Sequence, residues 1–155
     1  MTQLACAVAL SLLAATTAFA ECRDDAVELR GEFGTARFRV DVADDAAERS
    51  QGLMNVPKMA ASKGMLFLYD RPQRATFWMR NTLIPLDMIF MDPTGTITHI
   101  HRNAVPLDET TIDGGPGVLA VLEINGGFAS RIGIDVGDEL RHPGLDQLSA
   151  AWPCD

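Results

Sequence analysis

Lysine is almost missing from this chain, which has only Lys58 and Lys63. Arginine is therefore its ordinary cation, and any one arginine is a weaker sign of a bidentate anion site than it would otherwise be. Basic residues are outnumbered: 13 Lys and Arg stand against 21 Asp and Glu, for a net charge of −8 and a pI near 4.7. That balance argues against nucleic-acid phosphates and against anionic membrane surfaces as partners. Cysteine is also scarce. Cys6, Cys22 and Cys154 all lie near the chain ends, which excludes a cysteine nucleophile in the body of the domain. There is no Gly-x-Ser-x-Gly elbow and no serine beside a plausible strand-to-helix turn, so a Ser-His-Asp hydrolase has no support. No cofactor is implied, and there are no internal repeats or low-complexity tracts.

The first twenty residues, Met1–Ala20, carry no charged side chain. Their apolar part, Leu4–Ala15, is too short to span a bilayer. It runs into Ala18-Phe19-Ala20, the small-x-small pattern that precedes a signal-peptidase cut. The n-region has no Lys or Arg, so its positive charge is the α-amino group alone. A cleaved secretory signal over residues 1–20 is expected, with a periplasmic or secreted product and no membrane span left after cleavage. Cys22 is a poor lipidation site, because Glu21 precedes it where a small residue would be wanted. Cleavage removes Cys6 and leaves Cys22 and Cys154 at opposite ends. In an oxidising compartment such an even pair is expected to form a disulfide.

The remaining chain, residues 21–155, has the length of one domain. Ala26–Phe33 and Thr35–Val42 are expected as strands. Phe38, Val40 and Val42 alternate with Arg37, Arg39 and Asp41, as in a sheet with one wet face. Asp45 and Glu48 make a capping-box start for a short surface helix over Ala46–Gln51, ended by Gly52. Gly64–Tyr69 and Gly117–Ile124 are continuous apolar runs, expected as strands covered on both faces. Ala75–Met79 and Leu86–Met91 are expected to form a hairpin about residues 80–85, with Pro85 at its turn. Thr96–Arg102 should be a strand with a bulge, since Ile97 and Ile100 break strict alternation. Asn103–Gly117 is expected as a long loop, Gly126–Gly133 as a short helix and Glu139–His142 as a last strand. The fold class is mainly β, a single barrel or sandwich-like domain with two short helices over its openings.

Several side chains could carry function. Trp78 and Arg80 share one face of a strand, an arrangement suited to cation–π stacking and to recognition. Asp87 and Glu123 are acids inside apolar strand runs, where a carboxylate is costly unless paired or hydrogen-bonded. Arg49, Arg80 and the amides of the Asn81–Leu83 turn are candidate partners, and Trp78 is expected to cover Asp87. Asp87 or Glu123 as acid/base of an enzyme acting on an envelope polysaccharide is the rival reading. His99 and His101, two apart and followed by Asp108 and Glu109, with Met54, Met59, Met65, Met79, Met88 and Met91 elsewhere, raise a copper or zinc carrier as a third. Against it, the strand methionines suit core filling, and a bulge would send the two histidines to different faces. No metal site is assigned.

Glu48-Arg49-x-x-Gly52-Leu53-Met54, Gly64-Met65-Leu66-Phe67 and Phe77-Trp78-Met79-x-Asn81-Thr82-x-x-Pro85-Leu86-Asp87-x-x-Phe90 resemble the family called domain of unknown function 192. Leu122-Glu123-Ile124 and Gly137-Asp138 resemble its later pattern. The resemblance covers about residues 27–142 and implies a compact, mainly β, often secreted bacterial protein. It implies no reaction. A basic residue that often follows the Gly-Leu-Met motif is replaced here by Asn55-Val56-Pro57, with Lys58 the first cation. The leading expectation is a small periplasmic binding or adaptor module for an unknown small molecule or envelope protein, using Trp78, Arg80, Asn81, Asp87, Arg49 and Glu123.

Overall fold

The computed structural model describes residues 21–154; the expected signal segment, residues 1–20, lies outside them. The chain runs β1 (Ala26–Gly31), β2 (Gly34–Ala43), α1 (Ala46–Gln51), β3 (Lys63–Gln73), β4 (Thr76–Phe77), β5 (Leu86–Met91), β6 (Ile97–Ala104), β7 (Ile112–Asp113), β8 (Val118–Asn125), α2 (Phe128–Ile132) and β9 (Glu139–Arg141). Seven strands form one sheet in the order β6-β5-β8-β3-β2-β1-β9, and β4 pairs with β7 in a small second sheet. Within the large sheet, only β2 and β3 run parallel. The sheet curls until its edges meet at one end. There Ile97 N–H donates to Asp138 O (2.8 Å), Gly137 N–H to Ile97 O (2.9 Å) and Leu140 N–H to Gly95 O (2.9 Å).

Strand alternation builds two cores, one on each side of this sheet. Inside the curl lie Leu29, Phe38, Val40, Leu66, Ile89, Met91, Leu122 and Ile124. On the outer side, Phe67, Met79, Leu86, Met88, Phe90 and Val121 pack under the chain from Leu53 to Met59 and under the β4–β7 ribbon. This second layer explains why every residue of β5 is buried and why the β5 and β8 sequences are apolar on both faces apart from Asp87, Glu123 and the terminal Asn125. Phe77 ties the ribbon down, edge-to-face with Phe67 at 5.2 Å and with Phe90 at 5.7 Å.

Helix α1 begins and ends as its sequence implies. Asp45 accepts from Glu48 N–H at 2.8 Å, and Glu48 reaches back to Asp44 N–H at 3.2 Å. Gly52, at φ +46°, ends the helix. A Cβ there would sit 3.3 Å from the Phe67 ring, so the missing side chain lets the helix end settle on the outer core. Helix α2 packs Ala129 into the inner core, at the end of the curl where β8 finishes. Only α2 therefore covers an opening; α1 belongs to the outer layer.

The expected central hairpin does not form. β4 pairs with β7, through Thr76↔Asp113 and Phe77↔Ile112, while β5 pairs with β6 and β8. The two runs are separated by buried Thr82 and Ile84, which fold the connection into the outer core instead of a tight turn. The stretch from Asn103 to Gly117 is accordingly not all loop, since it supplies β7. The β6 bulge is present, with Met91 opposite Ile97 and Phe90 opposite His99. It falls at Thr98, before both histidines, so His99 and His101 share a face opposite Phe90 and Met88.

Cys22 and Cys154 form a disulfide across 132 residues of sequence.

Candidate functional site

Glu123 lies on β8, and its neighbours across the sheet are Met65 on β3 and Met88 on β5. Two thioether side chains flank the carboxyl where a polar partner would be needed. Glu123 is 4% exposed and has no hydrogen bond or ion pair among the described residues. No fully enclosed polar side-chain atom in those residues lacks a partner, so the Glu123 carboxyl must reach open space. That space is a cavity of about 260 Å³ on the outer side of the sheet. Burial alone pushes the Glu123 pKa up from 4.5 to about 8, because the charged form is poorly solvated there. The carboxyl is thus mostly protonated at neutral pH, a hydrogen-bond donor as well as an acceptor.

The rest of the cavity is assembled from four segments. α1 and its end contribute Arg49, Ser50 and Gly52; β3 contributes Phe67 and Tyr69; β4 and the residue after it contribute Thr76, Phe77 and Trp78; Thr82 comes from the following connection. Arg49 is half-buried. Its Nη1 donates to Asp44 O (2.5 Å) and Leu68 O (2.8 Å), and its guanidinium lies 5.3 Å from the Tyr69 ring centre. These contacts fix the group without neutralising it, since Arg49 makes no ion pair among the described residues. Burial raises the Tyr69 phenol above its usual range, with Arg49 acting in the opposite sense. Trp78 is 45% exposed, and Arg80 lies over its ring at 5.3 Å.

The structure thus brings together Arg49, Trp78 and Glu123, with Arg80 on the indole at the rim. It separates the other two candidates. Asn81 is exposed at φ +54°, and its carbonyl accepts from Asn55 N–H at 2.8 Å. Asp87 faces the opposite side of the sheet. It accepts from the backbone amides of Asn103 (2.7 Å), Gly127 (2.8 Å) and Ala129 (2.8 Å). The expectation that Asp87 is held by the Asn81–Leu83 turn and covered by Trp78 is therefore wrong. Asp87 has the inward parity of Ile89 and Met91, while Trp78 belongs to the outer layer. Arg49 and Arg80 pair with neither acid. Tyr69 and Thr82 are cavity residues the sequence reading missed. Tyr69 could have been found, because it shares the outward parity of Phe67 in an otherwise apolar strand.

Glu123 is the only carboxyl group lining the cavity among the described residues, so no carboxylate pair of the glycosidase kind is assembled from them there. His99 and His101 share a face, but no group of three or more metal-ligating side chains gathers among the described residues. His99 instead stacks on Phe90 at 5.6 Å.

The profile of the DUF192 family, described as "Uncharacterized ACR", matches residues 27–142. A solved protein of unknown function from Novosphingobium aromaticivorans DSM 12444 is 40% identical, with a TM-score of 0.74 over 84% of this chain and 99% of that one. A second, from Sinorhizobium meliloti 1021 and provisionally described as a transcription regulator, is 41% identical, with a TM-score of 0.76 over 82% of this chain and 99% of that one. No curated protein matches.

Proposed function

Since the chain belongs to the DUF192 family, whose shared fold brings no assigned activity, we propose from its own side chains that it is an exported binding module for a small ligand. The site is the cavity between α1, β3 and Trp78. The observation that carries this reading is Glu123. A carboxyl kept 4% exposed between two methionines, with no partner among the described residues, costs stability. Moving it to an apolar residue would remove that cost, and a ligand that satisfies it supplies a reason to keep it. A fixed arginine and a half-exposed tryptophan beside it are the usual furniture of recognition.

Two features support export. One is the Ala18-Phe19-Ala20 pattern, and the other is the Cys22–Cys154 disulfide, which suits an oxidising compartment. The name given to the Sinorhizobium protein does not suggest DNA binding here, because a net charge of −8 opposes phosphate contact.

A thermal-shift screen against organic acids, neutral sugars, peptidoglycan fragments and metal ions tests the reading. A concentration-dependent rise in Tm with one class, reduced in Trp78→Ala, supports it. No shift with any class counts against it. Intact mass of exported protein should begin at Glu21 and correspond to the oxidised pair; retention of the first twenty residues would remove the export part.

A further inference from the structure

Accepting that cavity as the ligand site, the geometry points to a small cyclic monocarboxylate as its ligand, the carboxylate held between the Arg49 guanidinium and the Glu123 carboxyl and the ring laid against Trp78. Charge decides the class first. Among the described residues that line the cavity, Arg49 is the only cation and Glu123 the only acid. The hydrogen bonds Arg49 makes in the fold use Nη1, so the rest of its planar fork is available for a carboxylate. Facing Glu123, α1 contributes Arg49, β3 contributes Tyr69, and β5 contributes the uncharged Met88. The segment from Thr76 to Thr82 contributes no charged group to the cavity, although Arg80 lies over Trp78 at its rim.

A protonated Glu123 adds no negative charge and offers an O–H. An anion satisfies the guanidinium and accepts from that O–H at the same time. A cationic ligand would bring like charge up to Arg49, and a neutral one would leave Arg49 without an ion pair. Size and shape narrow the class. A cavity of about 260 Å³ falls below the roughly 300–1,000 Å³ of pockets for drug-sized ligands, leaving room for about a dozen heavy atoms. Trp78 and Phe77 supply flat apolar wall, which suits the C–H face of a sugar ring or the face of an aromatic one. Sugar acids and aromatic acids share the required chemistry, and the experiment separates them.

Binding of the purified exported protein to glucuronate and to benzoate is measured by calorimetry, with glucose, benzyl alcohol and benzylamine as uncharged and cationic controls. One acid should bind with one-to-one stoichiometry, at least about tenfold more tightly than its uncharged counterpart. Arg49→Gln should weaken that binding by about tenfold or more, with part recovered in Arg49→Lys. The affinity should fall about tenfold between about pH 7 and 9 as Glu123 loses its proton. Glu123→Gln keeps a donor and should flatten that pH dependence while retaining binding, a result that a purely structural Glu123 would not produce. An uncharged ring compound or benzylamine binding as tightly as the acids, or an acid affinity unchanged to pH 9, would overturn the ligand class and leave the cavity as a binding site. No binding by any of the five compounds up to about 10 mM would overturn the carboxylate assignment, while the wider thermal-shift screen still decides whether the cavity binds another class.

Discussion

Asp87 and Glu123 stand one residue out of register on adjacent strands, and that single step sends them to opposite faces of the sheet. Asp87 is paired with Ile124, and Glu123 with Met88. Side chains alternate along a strand, so Asp87 points into the curl and Glu123 toward the outer layer. Two buried acids that look alike in sequence therefore have opposite surroundings. Asp87 receives three backbone amides, and Glu123 receives none among the described residues.

Asp87 should behave as scaffold. Its carboxylate joins the end of β6 to the start of α2, and Asp87→Ala would leave three amide donors without it. The loss should be on the order of 1–3 kcal/mol or somewhat more, since the bonds are charge-assisted. Asp87→Asn keeps one acceptor oxygen and should lose less. Urea denaturation of the two variants orders them, and an Asp87→Ala protein of unchanged stability would contradict the role given to the three amides.

Glu123 should make the fold less stable as pH rises. Its folded pKa of about 8 lies above the ordinary 4.5, so between those values the native state holds a proton that the unfolded state has released. The stabilisation is fully present below about pH 4.5 and is lost progressively as pH rises through about 8. At about 1.4 kcal/mol per pKa unit, the full swing is on the order of 5 kcal/mol. Glu123→Gln has no proton to lose and should be more stable than the parent at about pH 9. Unfolding free energies of both proteins across that range check the sign; parallel curves would mean Glu123 has an ordinary pKa.

The sequence already contained most of this architecture, for identifiable reasons. Alternation puts Ala75, Phe77 and Met79 on one, core-facing side and Thr76, Trp78 and Arg80 on the other; Ala75 and Met79 are buried and Phe77 half-buried against the outer core, while Thr76, Trp78 and Arg80 are exposed. The capping residues Asp45 and Glu48 bounded α1. The apolar runs announced strands covered on both faces. Pairing was the part that could not be read. A short connection between two strand-like runs implies a hairpin, yet Thr82 and Ile84 bury the connection and β4 finds β7 instead. The site was half legible on the same grounds. A lone acid in an apolar strand marked Glu123 and Asp87 equally, and only the tertiary partners tell the satisfied acid from the unsatisfied one.

His142 should set the acid limit of stability. It is 3% exposed. Its Nδ1 accepts from Gly144 N–H at 3.0 Å, and its Nε2 lies 3.0 Å from Asp24 O. These contacts fit the neutral ring with its proton on Nε2, and protonation of Nδ1 would break the bond to Gly144. Burial lowers the folded pKa below 6.5, so the unfolded state binds the proton first and stability falls as pH drops below about 6.5. His142→Gln should flatten that limb of the stability curve, with NMR titration of the ring as the direct check. A folded pKa at or above 6.5 would remove the effect.

The disulfide should matter more to stability than to the shape of the tail. It closes a loop of 132 residues in sequence separation, and in the chain-entropy model a loop of that size is worth on the order of 4–5 kcal/mol. The C-terminal tail has other attachments. Trp152 lies against the guanidinium groups of both Arg30 and Arg141, at 4.7 and 4.5 Å from its ring centre. Arg30 is also paired with Glu139, and Arg141 with Glu28. Ala151 N–H reaches Thr94 O at 2.9 Å. Once reduced, the folded protein should therefore keep Trp152 docked while its unfolding midpoint drops sharply. Paired Cys22→Ser and Cys154→Ser changes should reproduce the drop, and tryptophan fluorescence in a Trp78→Phe background isolates the Trp152 signal. Emission shifted to that of a solvent-exposed indole on reduction alone, before global unfolding, would show that the two arginine contacts do not hold the tail without the covalent link.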